Sequence, residues 1–106
     1  MKNEGVSRES AKRQVGEGWH GLIDEFYDKF PEATMTQVKE KFGGLCLYHY
    51  GHTDESLDLE TDIRDRSEKM CEVCGKETES REINGWIWTL CDEHIKAKEE
   101  KNEKRN

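Results

Sequence analysis

Cys71-Glu72-Val73-Cys74-Gly75 and, further on, Asn84-Gly85-Trp86-Ile87-Trp88-Thr89-Leu90-Cys91-Asp92-Glu93-His94 are the stretches that decide the fold of this 106-residue chain. They form a Cys-x-x-Cys pair, a gap of sixteen residues and a Cys-x-x-His pair. A Cys-x-x-Cys turn aims two sulfurs at one point, and a second pair must come from a segment that folds back. Four such ligands close a tetrahedron, the spacing of a structural zinc site. Cys71, Cys74, Cys91 and His94 are therefore the expected ligands of one Zn2+ ion, with Gly75 relieving strain after the second thiolate.

Between the two pairs, Asn84-Gly85 is a strong two-residue hairpin signal. It pairs Ile83 with Trp86 and Arg81 with Trp88. Alternation then puts Arg81, Ile83, Trp86, Trp88 and Leu90 on one face. That face either packs under the first long helix or stays partly exposed, with Arg81, Trp86 and Trp88 as a docking patch, since Trp and Arg dominate binding hot spots. Cys91 ends the second strand, and His94 opens a helix through Lys101.

Outward toward the N-terminus, residues 54–70 read as a helix with Leu59, Ile63 and Met70 as a narrow apolar stripe. Asp54 and Glu55 suit its start, and Arg64, Arg66 and Lys69 its end. Leu45 to Tyr50 is a strand, with Leu45, Leu47 and His49 on one face and Cys46, Tyr48 and Tyr50 on the other. Gly43-Gly44 marks a hairpin turn before it. The preceding run, 34–42, fits either a strand or a helix, because Met35, Val38 and Phe42 also have helical spacing. Trp19, Leu22, Ile23, Phe26, Tyr27 and Phe30 form a clean amphipathic helix ended by Pro31. Ser7 to Val15 is a short, weak helix, separated from it by Gly16-Glu17-Gly18. The expected fold class is α+β: a polar segment 1–18, a helix, hairpin and helix over 19–70, a zinc finger over 71–101 and a charged tail 102–106, in one compact domain.

Only 32 % of the chain is hydrophobic and 39 % is charged, a lean composition for which a metal is a natural staple. The net charge is −7, but residues 19–94 hold eight Lys/Arg and eighteen Asp/Glu, a balance of −10. An acidic body repels phosphate and suits a partner with a basic face, or simply keeps a small protein soluble. No segment has the apolar length of a membrane span, and Met1-Lys2-Asn3-Glu4 lacks a signal-peptide core, so a cytoplasmic location is expected. Reduced thiols there favour zinc over disulfides.

The order knuckle, hairpin, ligand pair at a helix start resembles a treble-clef zinc finger over residues 70–101. Most of the chain past residue 15 is also loosely similar to small uncharacterised proteins of bacteriophages and bacteria. That similarity lies in Gly18-Trp19 with Leu22, Val38-Lys39-Glu40-Lys41-Phe42-Gly43-Gly44-Leu45, Cys71-Glu72-Val73-Cys74-Gly75, and Gly85-Trp86 through Thr89-Leu90-Cys91 to His94. It implies a fold and an origin but no activity. If the chain is phage-encoded, an accessory protein acting on a host protein in the host cytoplasm, such as a nuclease or antiviral defence factor, is the role implied.

Catalytic readings find little footing. Four ligands at structural spacing leave no position for water. No His is followed by x-Glu, and the one proline is Pro31, so the deaminase signature is missing. The finger hairpin has no His to serve a nuclease of the HNH type, and one ligand set is half of what a RING needs. Cys46 and His49 point to opposite strand faces, which rules out a second metal site with His52, and Cys46 reads as a small buried thiol. Asp24, Glu25 and Asp28 read as a solvated helix flank. A non-enzymatic protein-binding role is expected, with nucleic-acid binding through Lys96, Lys98 and Lys101 as the alternative. Glu99, Glu100 and Glu103 dilute that positive field.

Overall fold

The computed structural model describes residues 5–51, 53–83 and 85–96. It is a mixed α+β fold, as expected. Ser7 caps the short helix α1 (Arg8–Arg13) by accepting from the Ser10 N–H at 3.1 Å, and Glu9 and Lys12 suit the two helix ends. Gly16 to Trp19 then tightens into a single 3-10 turn, Glu17–Trp19, that runs straight into α2 (His20–Lys29). Trp19, Leu22, Ile23 and Phe26 are buried. The helix stops at Phe30, which leaves helical backbone (φ −126°, ψ 66°) ahead of Pro31.

Residues 34–42 resolve as a strand. β1 (Thr34–Lys41) pairs antiparallel with β2 (Gly44–Tyr50). Met35 and Val38 are both buried although three residues apart. A bulge between Met35 and Gln37 shifts the register and returns both side chains to the core. This is why the spacing also looks helical.

The hairpin turn lies one residue earlier than Gly43-Gly44. Lys41 pairs with Gly44, and Phe42 (φ +54°) and Gly43 (φ +81°) make the turn. Both glycines are committed to close contacts. A Cβ on Gly43 would lie 2.9 Å from the Ile87 methyl and from Thr89 Oγ1; one on Gly44 would lie 3.0 Å from Glu68 Oε2. Phe42 is thereby left in a left-handed conformation that costs a non-glycine residue about 1 kcal/mol, while its ring is 65 % exposed. Phe42→Asn is expected to raise stability by up to about 1 kcal/mol, because Asn tolerates this conformation. Urea unfolding checks this, and a destabilised variant would contradict the strain.

α3 (Asp54–Ser67) begins with a reciprocal capping box between Thr53 and Ser56. It ends three residues before the expected Met70. The Ser67 hydroxyl donates to Arg64 O at 2.7 Å and accepts from the buried Leu45 N–H at 2.8 Å, while Lys69 N and Met70 N fall back on Arg66 O and Ser67 O. Met70 instead bridges Glu77 as an isolated antiparallel pair. α2, α3 and the hairpin enclose the main core, with Leu45, Leu47 and Ile63 buried among the α2 aromatics and Leu59 and Met70 at its margin.

β3 (Ser80–Ile83) pairs with β4 (Trp86–Thr89) in the expected register, Ile83 to Trp86 and Arg81 to Trp88. Gly85 is left-handed at φ +86°, and Asn84 lies outside the described residues. Cys71, Leu90, Cys91 and Ile95 form a second, small core, with Ile83 and Trp88 against it. Among the described residues no helix is long and apolar enough to cross a membrane.

Candidate metal centre

The backbone folds the Cys71 segment into a knuckle. Cys71 N–H donates to Lys76 O and Gly75 N–H to Cys71 O, both at 2.8 Å, and Gly75 takes φ +81° as its position requires. Glu72 N–H donates to Thr89 O at 2.9 Å, which pins the knuckle to the end of β4. Leu90 and Cys91 follow directly. Residues 92–96 are helical, so the helix opens at Asp92, and His94 sits inside its first turn rather than starting it. Ile95 N–H closes that turn on Cys91 O at 2.8 Å.

The three sulfurs and a His94 ring nitrogen all lie within 4.8 Å of one another. Cys74 Sγ is 3.8 Å from Cys91 Sγ, and Cys71 Sγ is 3.5 Å from His94 Nδ1. A tetrahedron with metal–sulfur and metal–nitrogen distances of about 2.3 and 2.0 Å has S–S edges of about 3.8 Å and S–N edges of about 3.5 Å. Two edges match these values, and the Cys91 Sγ to His94 Nδ1 edge, 3.1 Å, is shorter. The donor set can hold one metal ion. Cys71 and Cys91 are buried, His94 is half-buried and Cys74 is exposed.

Electrostatics follow from that crowding. Burial pushes the Cys71 thiol up, but backbone N–H groups of Cys91, Cys74 and Val73 outweigh it and bring the pKa down to about 6. The His94 N–H lowers Cys91. For Cys74 the Lys76 N–H also lowers the pKa, but burial and the nearby Cys71 and Cys91 leave it raised. His94 is raised by its contacts with Cys91 and then Cys71. Thiolates this close repel one another, so the set ionises fully only around a cation.

A layer that sequence reading missed supports the knuckle from behind. Gly18 N–H donates to Glu72 O at 2.7 Å, Gly16 N–H to Glu72 Oε2 at 3.2 Å, and the Trp19 indole N–H to Met70 O at 2.9 Å. The two glycines flanking Glu17 were the available signal, because glycine marks close backbone approach. From the other side, Thr89 Oγ1 donates to Gly43 O at 2.5 Å, tying the two hairpins together.

The remaining candidates separate. Trp88 is half-buried against the small core of Cys71, Leu90, Cys91 and Ile95, and Trp86 is 70 % exposed. Of the two readings of this face, packing under the first helix does not hold: Ile83 and Trp88 lie against Cys71, Leu90, Cys91 and Ile95, and Trp86 stays exposed. Arg81 is exposed and donates to Asp92 Oδ1 at 2.5 Å. Lys96 is exposed, while Lys98, Lys101 and His52 lie outside the described residues. Cys46 is buried, as expected. The α2 flank is paired rather than simply solvated: Asp24 and Asp28 meet Arg8, Asp24 also meets Lys12, and Glu25 meets Arg66.

His49, on the core face of β2 with Leu45 and Leu47, is buried. Its Nδ1 pairs with Glu60, its Nε2 is 3.0 Å from Ser56 Oγ, and its ring packs edge-on against Phe26. The connectivity is that of a nucleophilic triad, yet Ser56 is fully buried, and its Oγ already accepts from Thr53 N–H in the cap of α3. The chain of contacts joins β2 to α3. Comparison of the chain with protein-family models, curated proteins and solved structures finds no match.

Proposed function

We propose that this is a small, non-enzymatic binding protein, folded around one structural zinc ion, that engages another protein. The observation that carries the reading is the four-ligand cluster closing on itself, with Cys71 and Cys91 buried. All four corners of the tetrahedron are filled by protein, which leaves no position for a water or a substrate. Three thiolates and one imidazole, with edges near 3.5 and 3.8 Å, suit zinc by softness and by geometry. Cys71 and Cys74 on a knuckle, the β3–β4 hairpin and His94 in a helical turn support the treble-clef reading. The exposed Trp86, beside Arg81 and the half-buried Trp88, supports contact with a protein.

The acidic balance of residues 19–94 favours a basic partner surface. If the chain is phage-encoded, a bacterial host factor, such as a nuclease or defence protein, is the class of target in the host cytoplasm. Affinity capture from a bacterial lysate, with and without added nuclease, tests this. A stoichiometric protein that survives nuclease is the expected result. Capture that vanishes with nuclease would transfer the function to nucleic acid and to Lys96, Lys98 and Lys101.

A further inference from the structure

Three residues with large exposed apolar side chains line one groove between the two hairpin tips. Phe42 is 65 % exposed, Trp86 70 % and Ile87 37 %, and Glu40, Lys41 and Glu82 line the groove beside them. Phe42 lies far along the chain from Trp86 and Ile87, and scattered exposure of single apolar side chains would not bring it to the same groove. Phe42 holds its place in a left-handed conformation that Asn or Gly would adopt with less strain. Strain at an exposed aromatic points to a use on the surface, since the core gains nothing from that ring.

The groove is also pre-formed. The Thr89 hydroxyl bonds Gly43 O, and the missing Cβ of Gly43 lets Ile87 and Thr89 close onto the turn. A rigid groove orders little on binding.

We propose that this groove binds a linear protein segment that carries one large apolar side chain flanked by lysine or arginine. The proposal rests on the protein-binding reading above and names its site and ligand. Charge selects the occupant. Two of the three ionisable groups lining the groove are Glu40 and Glu82, within a body whose balance is −10. A second copy would set −7 against −7, and a nucleic acid would bring phosphates to the same field. A basic segment is drawn to it, and its apolar side chain finds Phe42, Trp86 and Ile87.

The test selects a displayed library of random linear peptides on the zinc-loaded full chain. The affinity of enriched peptides is then measured for the parent protein and for Phe42→Asn, Trp86→Ser, Arg81→Ala and the control Lys29→Ala. Enriched peptides are expected to share an apolar residue between basic ones. Their binding should weaken about tenfold or more on Phe42→Asn and on Trp86→Ser, with no drop in melting temperature, and change little on Lys29→Ala, an exposed α2 position outside the groove. Failure to enrich such peptides, or affinities that ignore Phe42 and Trp86, would overturn the proposal. A dimer dissolved by Phe42→Asn would do the same, as would oligothymidylate binding lost in that variant. Peptides that depend on Arg81 instead would remove the groove and leave the protein-binding reading standing. A lysate that yields no protein partner would remove that reading on its own account.

Discussion

Cys71→Ala protein is expected to bind no zinc and to lose at least about 4 kcal/mol of stability, because zinc binding in such modules is folding free energy of about 10–16 kcal/mol. The effect should not stop at the finger. Cys71 belongs to the small core with Leu90, Cys91 and Ile95, and the knuckle it anchors receives Gly16, Gly18 and Trp19 from the N-terminal region. Trp19 is fully buried in the main core and bonds Met70 O, one residue from the first ligand. Loss of the metal should therefore loosen both cores, and chelation of the parent protein should reproduce it. Metal content and urea unfolding, followed by circular dichroism and by tryptophan fluorescence, check this. A Cys71→Ala protein that holds no zinc yet melts like the parent would show that the metal does not hold the fold together. Acid should release the zinc as well, since protons compete for the thiolates and for His94 Nδ1.

What could be read in the sequence was local. Trp19 to Phe30 repeats with the helical period, Asn84-Gly85 fixes the β3–β4 register, and the four ligands sit at fixed spacings around one hairpin. Each signal lies within a few residues of the feature it specifies. The features that escaped depend on distant contacts. The bulge near Thr36 serves the burial of both Met35 and Val38. The turn moved onto Phe42 because Gly43 meets Ile87 and Thr89, and Gly44 meets Glu68 and Arg64, all far along the chain. Gly16 and Gly18 read as a simple break between helices, since nothing nearby announces that residues 71–75 will pack against them. Trp86 and Trp88 could not be assigned by alternation alone: it gives their shared face, but burial depends on Leu90 and Ile95 filling the space below.

Gly18→Ala tests the strongest of those distant contacts and is expected to cost about 3 kcal/mol, the upper end for one methyl forced into a packed region. Gly18 has no left-handed backbone to lose, so the penalty is steric. Its Cβ would fall 2.0 Å from Cys71 O, 2.5 Å from Gly75 N and 2.8 Å from the Glu72 carbonyl carbon. All three are backbone atoms of the knuckle, which cannot swing aside as a flexible side chain could. Retreat of the 3-10 turn would stretch the 2.7 Å bond from Gly18 N–H to Glu72 O and pull Trp19 from Met70 O. Movement of the knuckle would instead distort the ligand turn, so zinc affinity should fall along with stability. Gly21→Ala is the control. Gly21 lies in α2 with nothing within 4 Å of its would-be Cβ, so the same methyl should there stabilise the helix by about 0.5–1 kcal/mol. Urea unfolding and zinc competition with a chromogenic chelator read both variants. Equal stabilities for the two would mean that the N-terminal segment does not rest on the knuckle; opposite signs would tie the main core to the metal through one missing methyl group.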